Sequence, residues 1–389
     1  MKNFEFRNPT KIKFGKNTIS EIGEEIIKHG VKKILLLYGQ GSIFKNGVYD
    51  TTVVSLQAAG IEWFELGSIK PNPVLSKAYE GIKLCKEERI DGILAVGGGS
   101  VIDSAKVIAA GALYDGDIWN VFEGNDSVNE SLPVFTILTL SATASEMDPY
   151  AVITKEDEKK KWSFSAGQSS YPKVSIIDPT VQFSLPKEQT VNGAVDAMSH
   201  IFELYFSGTS DTDVQDEIAE GIIRTIITHT KILLEQPDNY ESRAQLIWCA
   251  TLALNGINGV GRNGGDWATH TIEHSISAYY DIAHGAGLAI MFPAWMKYVY
   301  KEDLPKFSRF AERVFGIKKG TEEVKAQRGI EALKSFYKEI GAPITLKEIG
   351  VTENDLQKLA DNASMREPEG KLKELYRKDI LKIYRLAYE

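Results

Sequence analysis

Residues 92–112 read GILAVGGGSVIDSAKVIAAGA, and this stretch decides the fold. The apolar run Gly92 to Val96 predicts a buried strand, and the run Val101 to Ala112 predicts a helix. They are joined directly by Gly97, Gly98, Gly99 and Ser100. Because glycines allow a close approach of the backbone and a helix begins with free N–H groups, this turn favours binding of a pyrophosphate. The spacing is not G-x-G-x-x-G, so the standard dinucleotide fingerprint is absent and a simple tight turn is the competing interpretation.

The same alternation of strand and helix continues on both sides of that stretch. Short apolar runs predict further strands at Lys33 to Tyr38, Glu62 to Leu66 and Val134 to Leu140. Longer periodic runs predict helices at Val48 to Ala59 and Val74 to Glu88. Such a series is typical of a parallel sheet with helices on both faces, so we predict an α/β nucleotide-binding domain.

A second glycine-containing loop follows the strand predicted at 33–38 and reads Gly39, Gln40, Gly41, Ser42. In doubly wound sheets ligands bind outside the carboxyl ends of the strands, so both loops are expected to face one crevice. A carboxylate in this loop would accept hydrogen bonds from an adenosine ribose and repel a 2′-phosphate, whereas glycine and serine leave room and a donor for that phosphate. An ordinary turn is the competing interpretation.

The character of the sequence changes after Leu185, where strand-like runs give way to helical periodicity that continues to Leu386. The Asp178-Pro179 turn and Pro186 mark the predicted boundary. We therefore predict two domains, a dinucleotide-binding α/β domain over residues 1–186 and an all-α domain over residues 187–389.

Composition excludes several classes of protein. The net charge of -8 and the absence of a long Lys/Arg stripe give no footprint for nucleic acid. Two cysteines, Cys85 and Cys249, supply neither a disulfide framework nor a cysteine-rich zinc site. Neither a signal peptide nor a membrane-spanning run is recognised, so a cytoplasmic protein is expected.

The histidines are clustered in a way that indicates a metal site. Asp196 and His200 stand four residues apart in a helical stretch, which places them on one face about a turn apart. His270, His274 and His284 follow within one short segment. Each histidine alone is more often an ordinary core or surface residue, and only the clustering favours a metal.

Six motifs in this order resemble those of the iron-containing (group III) alcohol dehydrogenases, in particular the butanol dehydrogenase and aldehyde reductase branch. They are FRNPTKIKFG (6–15), YGQGSIFKNGVYD (38–50), GGGSVIDSAK (97–106), TLSATASEMDPYAVIT (139–154), NGAVDAMSH (192–200) and HTIEHSISAYYDIAHGAGLAI (270–290). The motifs span essentially the whole chain, and the ordered set is far more specific than any one of them. The resemblance implies a nucleotide-binding α/β domain followed by a helical domain.

The resemblance also implies a role for each matching residue. The metal ligands would be Asp196, His200, His270 and His284, and His274 would lie close to the metal without binding it. Asp103 would stand near the nicotinamide. Imidazole chemistry, and not the resemblance, gives His274 two equal alternatives, proton transfer during catalysis or packing beside the metal site. The cofactor would contact Gly39, Gly41, Ser42, Gly97, Gly98, Gly99, Ser100, Asp103, Thr139, Thr143 and Lys161. Lys161 belongs to a charged run, 156–161, that is otherwise typical of a solvated turn.

These roles predict a metal-dependent alcohol dehydrogenase or aldehyde reductase that transfers a hydride between NAD(P)H and a small aliphatic aldehyde such as butanal. One carboxylate and three imidazoles suit Fe²⁺ or Zn²⁺. The branch with glycine at position 39 commonly uses NADP(H), so NADP is expected, with NAD as the alternative. The only expected partners are the alcohol or aldehyde and a second copy of the chain, since the family implies a homodimer.

The chain departs from the branch where it reads ATASEMDPY, because the branch more often reads ATGSEMNNG. Ala144 replaces a glycine, Asp148 an asparagine, and Pro149-Tyr150 a more flexible pair. The pocket for the nicotinamide and substrate is therefore expected to differ in shape, while the metal set is intact.

Other classes of protein fit the residues less well. Medium-chain zinc dehydrogenases need cysteine ligands, and Cys85 and Cys249 lie in segments without the other ligands. Tyr79 and Lys83 match the spacing of the short-chain class, but the N-terminal glycine fingerprint of that class is missing. A glycerol-type polyol dehydrogenase and a non-catalytic nucleotide- and metal-binding module stay as alternatives. A dehydroquinate-synthase-like lyase fits poorly, because its substrate carboxylate and phosphate would need basic residues near the metal segments, where Arg262 is the only candidate.

Overall fold

A computed structural model describes all residues from Met1 to Glu389, and they form two compact units. The first, called the α/β unit here, contains Arg7–Leu185 and Pro237–Ile247. The second, called the helical unit, contains Met1–Phe6, Pro186–Gln236 and Trp248–Glu389. Each unit thus contains one short segment that chain order alone would place in the other.

Eight strands lie in the α/β unit, and six of them form a sheet in which every pair is parallel. The strands are β1 (Lys11–Phe14), β2 (Lys33–Tyr38), β3 (Glu62–Leu66), β4 (Gly92–Gly97), β5 (Val134–Leu138), β6 (Ala151–Lys155), β7 (Lys160–Phe164) and β8 (Val174–Ile177). The order in the sheet is β1-β8-β5-β4-β2-β3, and β6 and β7 form a separate antiparallel hairpin. The predicted parallel sheet is confirmed, and its four predicted strands are β2, β3, β4 and β5.

Helices cover both faces of this sheet, as predicted. They are α1 (Ile22–Ile27), α2 (Ser42–Lys45), α3 (Val48–Ala58), α4 (Leu75–Glu88), α5 (Gly99–Leu113) and α6 (Trp119–Phe122). Successive residues of a strand point to opposite faces, and β2 shows this directly. Leu35 and Leu37 pack in an apolar cluster with residues of α4 and α5, whereas Ile34 and Leu36 pack with residues of α1 and α3.

Four strands were not predicted from the sequence, because their local patterns are too short or too charged to be recognised. The edge strand β1 reads KIKF and the buried β8 reads VSII, and both are too short to show a clear period. β6 and β7 are joined by the charged residues 156–159, which form the hairpin turn. Lys161 lies inside β7 and is buried, so the interpretation of the charged run as a solvated turn was wrong for this residue.

Nine helices follow β8 along the chain, and no strand occurs after Ile177. They are α7 (Lys187–Tyr205), α8 (Asp213–Glu235), α9 (Tyr240–Leu254), α10 (Ala268–Tyr280), α11 (His284–Val299), α12 (Leu304–Phe315), α13 (Glu322–Glu339), α14 (Leu356–Ala363) and α15 (Arg377–Tyr388). The prediction of an all-α second half is confirmed. None of these helices combines the length and apolar character that a membrane span requires.

Candidate metal and cofactor sites

Three helices of the helical unit bring together an aspartate and four histidines. Asp196 and His200 lie on α7, His270 and His274 on α10, and His284 is the first residue of α11. Ligating atoms of Asp196, His270 and His284 all lie within 4.8 Å of one another. The Nε2 atom of His284 is 3.9 Å from Oδ1 of Asp196. Groups this close, contributed by different helices, can share one metal ion.

His200 lies beside that group of three rather than inside it. Its ring centroid is 4.9 Å from that of His270, and its Nδ1 is 3.7 Å from Oδ1 of Asp196. This Nδ1 is buried and has no hydrogen-bond partner. Burial, with the imidazoles of His270 and His284 nearby, holds the pKa of His200 well below its usual range. The ring is therefore neutral at pH 7, the form in which an imidazole binds a metal.

His274 lies one turn beyond His270 on α10 and is less buried. Its ring centroid is 5.2 Å from that of His284 and 6.4 Å from that of His270. With Glu273 and His284 it forms a second group whose ligating atoms lie within 4.8 Å of one another. Geometry alone thus admits His274 as a ligand or as a neighbour, and its exclusion from the ligand set stays a prediction.

Two buried glutamates next to the histidines were missed by sequence reasoning. Oε1 of Glu203 lies 2.7 Å from Nδ1 of His270, and Oε2 of Glu273 contacts Nδ1 of His284. A signal was present, because Glu203 follows His200 by three residues on one helix and Glu273 follows His270 by three on another. That spacing puts each glutamate on the histidine face of its helix.

Gly285 packs closely against the backbone of α7 and so brings the neighbouring His284 to the cluster. A Cβ atom on Gly285 would lie 2.1 Å from the backbone oxygen of Asn192, so only glycine lets the start of α11 approach α7 this closely. Residue 285 follows His284, and Asn192 lies one turn before Asp196. The contact therefore fixes the distance between these two side chains.

The cluster fits a divalent cation on the chemistry of its donors. Nε2 of His270 is buried without a hydrogen-bond partner, although Nδ1 of the same ring is in contact with Glu203. Leaving a buried polar atom unpaired is costly, and metal coordination is a common reason for it. Carboxylate oxygen and neutral imidazole nitrogen are ligands that suit Fe²⁺ and Zn²⁺.

In the α/β unit, the two predicted glycine loops follow neighbouring strands. Gly39 to Ser42 follow β2, Gly97 is the last residue of β4 and Gly98 to Ser100 follow it, and β2 and β4 pair in parallel. Both loops therefore lie at the same, carboxyl edge of the sheet. Thr139 follows β5, the other neighbour of β4, and its N–H donates to the carbonyl of Gly97 at 3.0 Å.

The two loops differ in how tightly they are packed. A Cβ atom on Gly99 would lie 2.4 Å from Oγ1 of Thr143, so glycine is required there by packing within the unit. A Cβ atom on Gly39 would meet no atom closer than 3.5 Å, the backbone oxygen of Ile69. The absence of a side chain at Gly39 is therefore not imposed by the fold.

Lys161 and Asp103 both lie in buried polar surroundings. Nζ of Lys161 donates to Oδ1 of Asn72 at 2.9 Å. Asp103 on α5 accepts from the Ser145 hydroxyl at 2.6 Å and from the Val152 N–H at 2.9 Å. The nicotinamide contacts predicted for these two residues stay predictions.

Asp103 and the fully buried Lys106 both form hydrogen bonds to residues 144–150, the segment in which this chain differs from its branch of the family. Nζ of Lys106 donates to the Ser145 hydroxyl and to Asp148 at 2.8 Å each, and to the carbonyl of Tyr150 at 2.7 Å. Burial raises the pKa of Asp148 to about 7, and the Lys106 ammonium opposes that shift. In the same segment Ala144 has a φ of 59°, a left-handed conformation that suits the glycine of the branch better than alanine.

The raised pKa of Asp148 predicts how stability changes with pH. The folded form keeps a proton on Asp148 that the unfolded chain releases near the usual pKa of 3.8. The contribution of this proton to the free energy of unfolding is fully present below pH 3.8 and is lost as pH rises through about 7. The loss is at most about 1.4 kcal/mol for each pH unit. The Asp148→Asn variant has no group that titrates at this position, so only the wild type loses this stability. The melting temperature of the variant minus that of the wild type should therefore rise from pH 5 to pH 8. Thermal unfolding measures this, with the exposed Asp115→Asn as control, and an unchanged difference would contradict the assignment.

Comparison with known proteins identifies the family. Residues 9–179 match the family described as iron-containing alcohol dehydrogenase, and residues 190–388 match the C-terminal region of the Fe-containing alcohol dehydrogenase family. NADH-dependent butanol dehydrogenase A of Clostridium acetobutylicum is 42% identical over 392 residues, which cover 100% of both chains. NADPH-dependent aldehyde reductase YqhD of Escherichia coli is 36% identical over 362 residues, which cover 92% of each. A crystal structure of NADH-dependent butanol dehydrogenase A from Thermotoga maritima has a TM-score of 0.98 at 55% identity, covering 100% of this chain and 99% of that one.

These matches extend over both units, and the chain belongs to the iron-containing alcohol dehydrogenase family. It is an oxidoreductase of the alcohol dehydrogenase class. The family, fold class and enzyme class predicted from the sequence are confirmed.

Proposed function

We propose that this chain interconverts a small aliphatic aldehyde such as butanal and the corresponding alcohol, using NAD(P)H and a divalent metal ion. The observation that carries the proposal is that Nε2 of His270 is buried without a hydrogen-bond partner, while candidate ligating atoms of Asp196, His270 and His284 lie within 4.8 Å of one another. The butanol dehydrogenases and the aldehyde reductase among its relatives support this class of substrate.

In this proposal Asp196, His200, His270 and His284 hold the ion, either Fe²⁺ or Zn²⁺. When bound, such an ion polarises a carbonyl oxygen and makes the carbonyl carbon a better acceptor of a hydride. The protein holds the donors in place before the ion arrives, because Gly285 fixes the approach of α11 to α7 and burial keeps His200 neutral.

The α/β unit would bind the cofactor at the carboxyl edge of its sheet. The N–H groups of the turn at 97–100, where α5 begins, would hold the pyrophosphate. Gly39, Gly41 and Ser42 would bind the adenosine ribose, and Asp103, Thr139, Thr143 and Lys161 would line the path toward the nicotinamide. When bound, the nicotinamide would supply the hydride that a carbonyl carbon accepts, and His274 would donate the proton that the oxygen takes up.

The proposal is tested on protein stripped of metal with a chelator and then reloaded with Fe²⁺ or Zn²⁺. We expect butanal-dependent oxidation of NADPH or NADH, followed by absorbance, to be lost on stripping and restored on reloading. Activity on glycerol but not on butanal would favour a polyol dehydrogenase. No turnover of either, with metal and nucleotide still bound, would indicate a non-catalytic module.

His274→Ala is expected to keep stoichiometric metal and to reduce turnover. The ring lies close to His284 but is assigned to proton transfer, and removing such a group typically lowers the rate about 10²- to 10⁴-fold. Metal analysis and the steady-state rate with butanal measure the two effects. Loss of the metal in this variant would instead make His274 a ligand, and a normal rate with normal metal would leave it a packing role.

A further inference from the structure

Glu203 is a buried carboxylate that accepts hydrogen bonds from backbone N–H groups at the start of α10. Its Oε2 accepts from the N–H of Trp267 at 2.6 Å, and its Oε1 accepts from the N–H of His270 at 3.1 Å. The same Oε1 lies 2.7 Å from Nδ1 of His270. Trp267 has a φ of 65°, a strained conformation for a residue with a side chain, and the bond from its N–H helps to hold it.

These contacts determine which ring nitrogen of His270 carries the proton. Both oxygens of Glu203 already accept from backbone N–H groups, so this side chain acts as the acceptor and Nδ1 of His270 as the donor. In the neutral ring Nε2 then carries the lone pair, and this is the buried atom that has no partner in the protein. The carboxylate thus leaves the ring ready to bind through Nε2.

The second carboxylate–imidazole contact repeats the arrangement at another ligand. Glu273 is fully buried and contacts both Nδ1 of His284 and the hydroxyl of Ser277. Nε2 of His284 is then the nitrogen nearest Asp196, at 3.9 Å from Oδ1. Two imidazoles of the cluster therefore each have a buried glutamate at Nδ1. General packing would not require the same contact twice.

We propose that Glu203 is a positioning residue for the metal site, which holds the proton of His270 on Nδ1 and so leaves Nε2 for the ion. The proposal rests on the proposed function, because it requires that the cluster bind a metal. Outer carboxylates of this kind typically change metal affinity about 10- to 100-fold when they are mutated.

The test uses the full-length protein and two readouts, neither of which is activity. ¹⁵N NMR of the metal-free protein, labelled at histidine, reports which nitrogen of His270 is protonated. Titration with Co²⁺, followed by its visible absorption, reports the affinity of the site. We expect Nδ1–H in the wild type, and a shift toward Nε2–H with about 10- to 100-fold weaker Co²⁺ binding in Glu203→Gln.

Glu220→Gln is the matched control. Glu220 is also fully buried in the helical unit, where it accepts from the Tyr205 hydroxyl at 2.8 Å and from Nε of Arg309 at 2.6 Å. Its loss should lower stability and leave the Co²⁺ affinity and the His270 proton unchanged.

Each outcome decides the matter. Wild-type affinity and an unchanged His270 proton in Glu203→Gln would overturn the role of Glu203 while leaving the proposed function intact. Nε2–H in the wild type would overturn it without any variant, even if Glu203→Gln failed to fold. A wild-type protein that bound no Co²⁺ would overturn the proposed function and this role together.

Discussion

Replacing His270 with alanine is expected to abolish metal binding and aldehyde reduction together. Nε2 of His270 is buried without a hydrogen-bond partner, and His270 forms with Asp196 and His284 a group whose candidate ligating atoms lie within 4.8 Å of one another. Removing it leaves a carboxylate and fewer imidazoles, which hold an ion poorly and misplace the position that the substrate oxygen would take. Since residues that only support a ligand change affinity up to about 100-fold, the loss here should be larger. Metal analysis after dialysis and the steady-state rate with butanal measure both effects.

His229→Ala provides the control, because His229 lies on α8 and is not part of either group of ligating residues. Its metal content and rate should be those of the wild type. Full metal content with a normal rate in His270→Ala would show that the ligand assignment is wrong.

The same measurements on His200→Ala define the extent of the ligand set. His200 is predicted to be a ligand, although its ring lies beside the group of three, 4.9 Å from that of His270. We expect turnover to be abolished and metal content to fall. Retained metal with a normal rate would restrict the set to Asp196, His270 and His284.

Gly39→Asp is expected to reverse the choice of cofactor. Position 39 offers no carboxylate to repel a 2′-phosphate and the nearby Ser42 offers a donor, so we propose a wild-type preference for NADPH over NADH. The new carboxylate would repel the phosphate and accept from free ribose hydroxyls. A charged hydrogen bond of this kind contributes about 1.5 to 3 kcal/mol, or roughly 10- to 100-fold in kcat/KM.

Steady-state kinetics with both cofactors decide this prediction. The loop has room for the side chain, since a Cβ atom on Gly39 meets nothing closer than 3.5 Å. Gln40→Asp adds the same charge at the next, exposed position and should change the ratio much less. A wild-type preference for NADH, or a ratio that Gly39→Asp leaves unchanged, would mean that other residues recognise the ribose.

The sequence predicted those parts of the fold in which local pattern and tertiary packing agree. β4 and α5 were recognised because a fully buried strand leaves a short continuous apolar run, and a long apolar run follows the turn at 97–100. β1 was missed because lysines alternate along an exposed edge strand of four residues, where packing imposes little pattern. Long-range pairing with β8, and not local sequence, makes it a strand.

The candidate site shows a similar division. Clustered histidines were visible in the sequence because metal ligands belong to a small set of residue types. Glu203 was not recognised despite its spacing from His200, since a glutamate on a helix is most often an exposed residue. Only the structure shows it buried, at a separation of 67 residues from His270, whose ring it contacts.

The proposed metal donors come from three helices that are distant in the sequence, so the unfolded chain has no comparable group of ligands. An ion that binds only the folded form shifts the folding equilibrium by mass action, and free metal at 100 times its Kd adds about 2.7 kcal/mol. In cells, changes of about 1 to 2 kcal/mol alter the abundance of a protein several-fold through proteolysis of its unfolded form. The supply of metal would then govern how many copies of this dehydrogenase survive, as well as how many are active.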